Sequence, residues 1–353
     1  RLYSTPMSHF RPNIDSLAAY VPGEQPQEGG WTKLNTNENP YPPSPKVLEA
    51  IKAAATNDLR LYPDPLASEA RRKVAYAHRL DPENVLLGHG ADELLSMAFR
   101  AFAGPGAKAA FPYPSYTLYE TLAKIADAPF EWVDFPDDFS IPPAFPPADA
   151  KLVIVPNPNS PSGTFQDPEV FDALADRTNG VLVIDEAYAD FSRDTCREVL
   201  TRHTNVLLFR TLSKSFSLAG LRNGIALGPV DLIDGLLKVK DSYNVDRLAI
   251  AGIIAAFSDQ EHMRRNVQRV RKTRARLSIA LEKLGFKVLP SEANFVLARW
   301  KEKAKPLYEA LKERKILVRY FEARRLEDCL RISIGTDPEI DALLAALRTI
   351  LAG

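Results

Sequence analysis

The sequence predicts an α/β fold: a large domain whose mostly parallel sheet lies between helices, a smaller α+β C-terminal domain, and an N-terminal arm. Three observations predict it. Short uninterrupted apolar runs at 85–88, 151–156, 181–184 and 205–210 alternate with segments of helical periodicity, the pattern of strands buried on both faces. Near residue 240 the texture changes to long helical stretches followed by short strands, which is the order of an α+β unit. Residues 8–43 are rich in Pro, Asn and Gly with little periodicity, which argues for an extended segment. The expected division is an arm at 1–43, a large domain at 44–240 and a small domain at 241–353.

Taken in order, Ser44 is placed to cap a helix with Pro45 at its first position, and Val47, Leu48, Ile51 and Ala55 recur at helical spacing. LYPDP at 61–65 breaks the chain, and Leu66, Ala70 and Val74 resume the helical period. A strand at 85–88, a glycine turn in GHGADE and a helix from LLSMAFRAF come next. Further strands are expected at 107–111, 130–133, 151–156, 181–188, 205–210 and 224–228, with helices near 115–126 and 168–177. PDDFSIPPAFPP at 136–147 reads as a proline-rich loop inside the large domain. Beyond it, helices cover 245–257 and 259–284, FKVLP, NFVLARW, ILVRYF and CLRISIG read as short strands, and a last helix starts at 337. The basic residues between Arg264 and Arg276 are interleaved with Val267, Val270 and Leu277, so they read as one solvated face of an amphipathic helix rather than a nucleic-acid patch.

Composition narrows the function classes. The 353 residues carry 45 basic and 45 acidic side chains, with a pI near 7.1. That balance argues against nucleic acid or an acidic membrane as partner and for small-molecule ligands. Cys196 and Cys329 form neither a disulfide framework nor a paired zinc site, so no metal is expected and the expected location is the cytoplasm. No run approaches the roughly 18 consecutive apolar residues of a membrane span, and no secretory h-region is seen near the start. Residues 1–6 are set aside from the fold reading.

In a sheet of parallel strands, ligands bind outside the C-terminal strand ends, so the residues that follow each apolar run are the candidates. Gly90, Ala91 and Asp92 open a helix whose free N–H groups favour an anion such as a phosphate. NPNSPSG holds Asn157 and Asn159 among prolines that fix the backbone. Asp185 ends an apolar run, where a carboxylate is costly to bury unless it meets a cation, and Tyr188 lies three residues on. The stretch 211–224, TLSKSFSLAGLRNG, sets Lys214 among small hydroxylated residues beside Ser213, with Arg222 eight positions later. Alone, each has an ordinary reading: a surface amine, a solvated strand end, a plain turn. Together they supply what pyridoxal 5'-phosphate requires: an amine for its aldehyde, a carboxylate for its ring nitrogen, an amide and a phenol for its ring oxygen, and arginine with N–H donors for its phosphate.

GHGADE, NPNSPSG, VIDEAYADF and TLSKSFSLAGLRNG, in this order, resemble the fold-type-I pyridoxal-phosphate enzymes. NTNENPYPPSP, LYPDP and LLKVKDSYNV narrow the resemblance to the histidinol-phosphate aminotransferase family, nearly end to end. The resemblance implies that Lys214 bonds the cofactor, Asp185 pairs with its ring nitrogen, Tyr188 and Asn159 contact its ring oxygen, and Tyr116 stacks on the ring. It places Ala91, Asp92, Ser213 and Arg222 at the phosphate, with Tyr62 reaching in from the second subunit of a homodimer whose active sites are shared. Tyr20, Arg319 and Arg331 match positions near the substrate, and Asn37 and Asn294 contribute there. Arginine suits a carboxylate or phosphate because its fork bonds two oxygens at once. The chain departs from the family where Ser160 and Ser162 replace an Asn and a Thr, and where EARRLED precedes Cys329 in place of a glycine-rich stretch. The first change leaves Asn159 in place; the second bears on substrate choice.

The activity this implies is transfer of an amino group from L-histidinol phosphate to 2-oxoglutarate, giving imidazole acetol phosphate and glutamate in histidine biosynthesis. The same scaffold could act on an aromatic amino acid or another phosphorylated amine, or, more distantly, as a decarboxylase. A non-catalytic ligand sensor is the rival of a different class; such sensors carry an added DNA-binding domain, and no helix-turn-helix segment precedes the arm.

Overall fold

The computed structural model describes residues 8–17 and 23–352. After a single turn, α1 (Pro12–Asp15), and a short strand, β1 (Thr32–Lys33), the chain enters α2 (Pro45–Ala54). Ser44 Oγ accepts from Lys46 N and Pro45 occupies the first turn, the expected cap. α3 (Ser68–His78), β2 (Val85–His89), α4 (Ala91–Phe102), β3 (Lys108–Tyr113), α5 (Leu118–Ile125), β4 (Phe130–Asp134), β5 (Ala150–Pro156), α6 (Pro168–Arg177), β6 (Val181–Asp185), β7 (Val206–Thr211), β8 (Asn223–Leu227) and α7 (Val230–Val239) follow.

Seven strands form one sheet in the order β2-β8-β7-β6-β5-β3-β4. Its central strands are largely apolar because both faces are covered, whereas the edge strand β4 (FEWVD) has no buried residue. Leu182 and Ile184 of β6 pack with Val74, Phe171 and Ile253 on one face, while Val181 and Val183 pack with Leu94, Leu122 and Ile233 on the other. Alternate residues of one strand thus serve two cores. The sheet is mostly parallel, with one exception that the apolar pattern does not encode: β8 runs antiparallel to both β2 and β7. A strand buried on both faces reads the same in either direction.

The remainder comprises α8 (Arg247–Ser258), α9 (Gln260–Lys283), β9 (Lys287–Val288), β10 (Phe295–Arg299), α10 (Lys305–Glu313), β11 (Ile316–Leu317), β12 (Arg319–Tyr320), β13 (Cys329–Ser333) and α11 (Asp337–Ala352). α8 packs against α2 and α3, beneath the large sheet. An antiparallel sheet of order β12-β13-β10-β9 carries α9, α10 and α11 through Val270, Leu277, Leu311, Leu343 and Leu347. Part of the segment expected as an arm is not free of this unit: β1 pairs in parallel with β11, and Leu34 N donates to Leu317 O over 2.7 Å. A two-residue strand in a proline-rich stretch leaves no periodicity to read. The helices α7 and α10 also went unexpected.

The basic face of α9 is only partly solvated. Arg271 donates to the carbonyls of Phe191 and Ser192, Arg274 donates to Ala293 O at 2.7 Å, and Arg276 pairs with Asp337 and Asp341. These arginines fasten the helix to its neighbours. No helix among the described residues is long and apolar enough to cross a membrane, and none of their acidic, Cys or His groups gathers as a metal cluster.

Candidate active site

The C-terminal ends of β5, β6 and β7 and the N-terminal end of β8 meet along one edge of the large sheet, where a cavity of about 250 Å³ opens. Ala91, Asp92, Tyr116, Asp185, Tyr188, Ser213, Lys214 and Arg222 line it, and from the other side so do Asn37, Arg319 and Arg331. The polar residues that follow separate apolar runs in sequence are thereby gathered into one place.

Its floor is Asp185, which ends β6 inside the protein. Tyr119 donates to Asp185 Oδ2 at 2.7 Å and Ala187 N donates to Oδ1 at 3.1 Å. Burial nevertheless dominates and pushes this carboxyl up to about 6 from an ordinary 3.8, against the pull of those two hydrogen bonds. A carboxylate held in this way lacks a cation.

Lys214 follows β7 in a loop that other elements hold. Its Nζ donates to Thr36 O at 3.2 Å and lies 5.9 Å from the centre of the Tyr188 ring. Asn39 Nδ2 donates to the carbonyls of both Lys214 and Ser215 at 3.1 Å. Below the loop, Ser215 Oγ donates to Asp190, which pairs with Arg210, and Arg210 pairs with Glu186 at 3.0 Å. Glu186 is raised because desolvation outweighs the pull of Arg210. Burial works against Arg210, but Asp190 and Glu186 more than offset it, so it titrates above its ordinary value.

The phosphate corner is built by close approach. Gly90 has φ +83° and precedes α4, and a Cβ there would meet Arg222 Nη2 at 2.7 Å. A Cβ on Gly224 would lie 2.5 Å from the carbonyl of Gly90. Only glycine at both positions lets β8 bring Arg222 against the start of α4. Arg222 Nη1 lies 3.4 Å from Ser213 Oγ, and its Nη2 lies 3.3 Å from Asp92 Oδ2.

Asn37, with φ +57°, donates through Nδ2 to the Tyr188 hydroxyl at 3.0 Å, which leaves the phenol proton free to donate elsewhere. Asn159 is buried and is not among the residues lining the cavity; its Nδ2 donates to Pro114 O and Ser162 Oγ, so the donor hydrogens expected at the ring oxygen are engaged, and among the described residues its Oδ1 has no partner. Tyr116 Oη lies 3.4 Å from Asp92 Oδ1. Asn294 is fully buried behind the cavity and donates to Asn37 O at 2.8 Å. Arg331 donates to Asn35 O at 2.8 Å and Ser160 Oγ at 3.3 Å, so one of the departing serines contacts this arginine. Tyr62 does not line this cavity; it is exposed and stacks on Tyr243 at 4.4 Å. Tyr20 lies outside the described residues.

Sequence reading did not single out Tyr119, Asn39, Thr36, Phe321 or the set Glu186, Asp190, Arg210 and Ser215. A tyrosine on the buried side of α5 looks like any core aromatic. The one available signal was Glu186 directly after Asp185, because two adjacent carboxylates at a buried strand end require two separate sources of compensation.

The profile of the family described as Aminotransferase class I and II matches residues 30–347, and the chain belongs to that family. The protein named histidinol-phosphate aminotransferase from Rhodopirellula baltica is 46% identical over 339 residues, covering 95% of this chain and 94% of that protein. The protein of the same name from Clostridium beijerinckii is 43% identical, covering 98% of each. A crystal structure of histidinol-phosphate aminotransferase from Sinorhizobium meliloti in complex with pyridoxal-5'-phosphate is similar with a TM-score of 0.91 at 29% identity, covering 98% of each chain. Within the family, this chain falls in the histidinol-phosphate aminotransferase branch.

The cofactor is accordingly pyridoxal phosphate, and the residues fit it. The buried Asp185 lacks the cation that a protonated ring nitrogen supplies. The glycine cradle at Gly90 and Gly224 brings Arg222 against the start of α4, whose backbone N–H groups suit a phosphate.

Proposed function

We propose that the protein transfers the amino group of L-histidinol phosphate to 2-oxoglutarate, giving imidazole acetol phosphate and glutamate. The observation that carries this reading is the joining in one cavity of a cofactor half, Asp185, Lys214 and Arg222, with a second cationic half, Arg319 and Arg331. When bound, the cofactor supplies an aldehyde that bonds amines and a ring that accepts the electron pair released at the donor's Cα.

The chain's own groups do the rest. Asp185 keeps a proton on the ring nitrogen, because an anion in a dry floor stabilises an adjacent cation. Tyr188, with its oxygen already accepting from Asn37, donates to the ring oxygen. Ser213, Arg222 and the N–H groups of Ala91 and Asp92 hold the phosphate, and Tyr116 covers the ring. Lys214 would hold the cofactor through its aldehyde and, once its amine is free, would take the proton from the donor's Cα. Arg319 and Arg331 bind the substrate's anion.

The chain divides into an arm at 1–43, a large cofactor domain at 44–240 and a small domain at 241–353, and it acts as a cytoplasmic homodimer with shared sites. Support for the dimer comes from Leu59, Leu61, Tyr62, Leu66 and Tyr76, large apolar residues exposed within one short stretch. Tyr62 then reaches the second subunit's phosphate corner.

The test compares kcat/KM for histidinol phosphate, phenylalanine and tyrosine, each with 2-oxoglutarate. A clear preference for histidinol phosphate is expected; preference for either aromatic amino acid refutes the proposed donor.

A further inference from the structure

Arg319 and Arg331 are directly opposed across β12 and β13, and like charges so placed repel. No carboxylate of the described residues forms an ion pair with Arg319. What stands between the two is a ring. The guanidinium carbons of Arg319 and of Arg331 both lie 5.3 Å from the centre of Phe321, and Phe295 approaches Arg331 at 5.4 Å. Phe295 in turn meets Tyr188 edge-on at 5.0 Å.

We infer that Phe321 is a positioning residue that holds Arg319 and Arg331 as a pair for a dianionic phosphate, and so sets the preference for a phosphorylated donor over one ending in a hydroxyl. This rests on the reading of histidinol phosphate as donor. The π cloud of one ring attracts both guanidinium groups and offsets their mutual repulsion. Without it, repulsion drives the forks apart, and the geometry that bonds several phosphate oxygens at once is lost. A phosphate dianion, whose oxygens need both forks at once, suffers most.

EARRLED ties down the chain directly after Phe321. Arg324 bonds both oxygens of Asp134 at 2.5 and 2.7 Å and lies 4.6 Å from the centre of the Tyr113 ring, while Tyr113 donates to Arg324 O at 2.9 Å. Arg325 donates to Phe135 O at 2.5 Å. The segment that follows Phe321 is therefore tied to the edge of the large sheet at β3 and β4.

The experiment is steady-state kinetics of the cofactor-loaded wild type, Phe321→Leu and Phe321→Tyr with histidinol phosphate and with histidinol at saturating 2-oxoglutarate. Competitive inhibition by inorganic phosphate and thermal unfolding are measured on the same samples. Phe321→Leu is expected to raise KM for histidinol phosphate and Ki for phosphate about tenfold, with KM for histidinol unchanged and at most a small fall in Tm. Its kcat should stay within about twofold, as for lost binding that the ground and transition states share. Phe321→Tyr should restore the wild-type values. Unchanged KM and Ki in Phe321→Leu overturn the inference. So does a Tyr variant that behaves like the Leu variant, or a joint fall of kcat and Tm. If the wild type itself fails to prefer histidinol phosphate over histidinol, the donor reading is what fails, and Ki for phosphate still decides the role of Phe321.

Discussion

Tyr119 donates its hydroxyl proton to Oδ2 of Asp185 across 2.7 Å, and both side chains are buried under the cofactor cavity. That bond stabilises the anionic form of Asp185. Burial, and then the neighbouring carboxylate, push the Tyr119 phenol well above its ordinary value, so it stays a donor throughout the working range.

Replacing Tyr119 by Phe removes a hydrogen bond to a charged acceptor, worth about 1.5–3 kcal/mol. Asp185 should then hold its own proton more tightly, and the acid limb of kcat/KM against pH should move upward by about one to two units. A limb that stays in place would show that Tyr119 only fills space.

Asp185 makes a second prediction, on stability without cofactor. Its folded value of about 6 exceeds the ordinary 3.8, so the folded state binds the proton more tightly than the unfolded chain. Its stabilising effect is fully present below about pH 4 and lost as pH rises through about 6, a loss of about 3 kcal/mol. The cofactor-free Asp185→Asn protein should therefore outlast wild type in urea at pH 8 and match it at pH 4, while transaminase activity collapses. Equal urea midpoints at pH 8 would contradict the cost of burying this charge.

Lys214→Ala should lose at least about 10³-fold in kcat, the upper range for a positioned general acid–base. Borohydride reduction of loaded wild type should add the cofactor's mass, less one oxygen lost as water, to the chain permanently. The alanine variant should gain no mass; a tagged variant would point to another amine.

Arg210→Met leaves Glu186 buried without its cation and should cost about 3–5 kcal/mol of stability. The sign with pH follows from Glu186, whose raised folded value makes its stabilising effect present at low pH and lost as pH rises. Urea unfolding should thus show a larger deficit at pH 8 than at pH 5. The double variant Glu186→Gln, Arg210→Met should recover part of it, and a full additive loss would deny the coupling.

Much of this was legible in the chain. The strands at Val85, Val181 and Val206 and the helix Pro168–Arg177 are periodic enough to stand alone, and Lys214, Asp185 and Arg222 each follow or precede an apolar run. The direction of β8 was not legible, because burial on both faces removes any mark of polarity. Nor was β1, too short to show a period. Tyr119 and Phe321 escaped because a core aromatic and a ring that orients arginines look alike until the partners' positions are known. Asn39 acts through backbone carbonyls of a distant loop, and no local spacing encodes that.

β8 has a consequence for the order of events on the ribosome. Gly88 pairs with Gly224 and His89 with Asn223, so the turn that receives the phosphate waits, exposed, until a much later strand has been synthesised and slotted in beside it. β5, β6 and β7 can find one another earlier in translation. The nascent chain therefore offers the cofactor no finished seat until β8 has threaded between β2 and β7, and the substrate's arginines emerge later still.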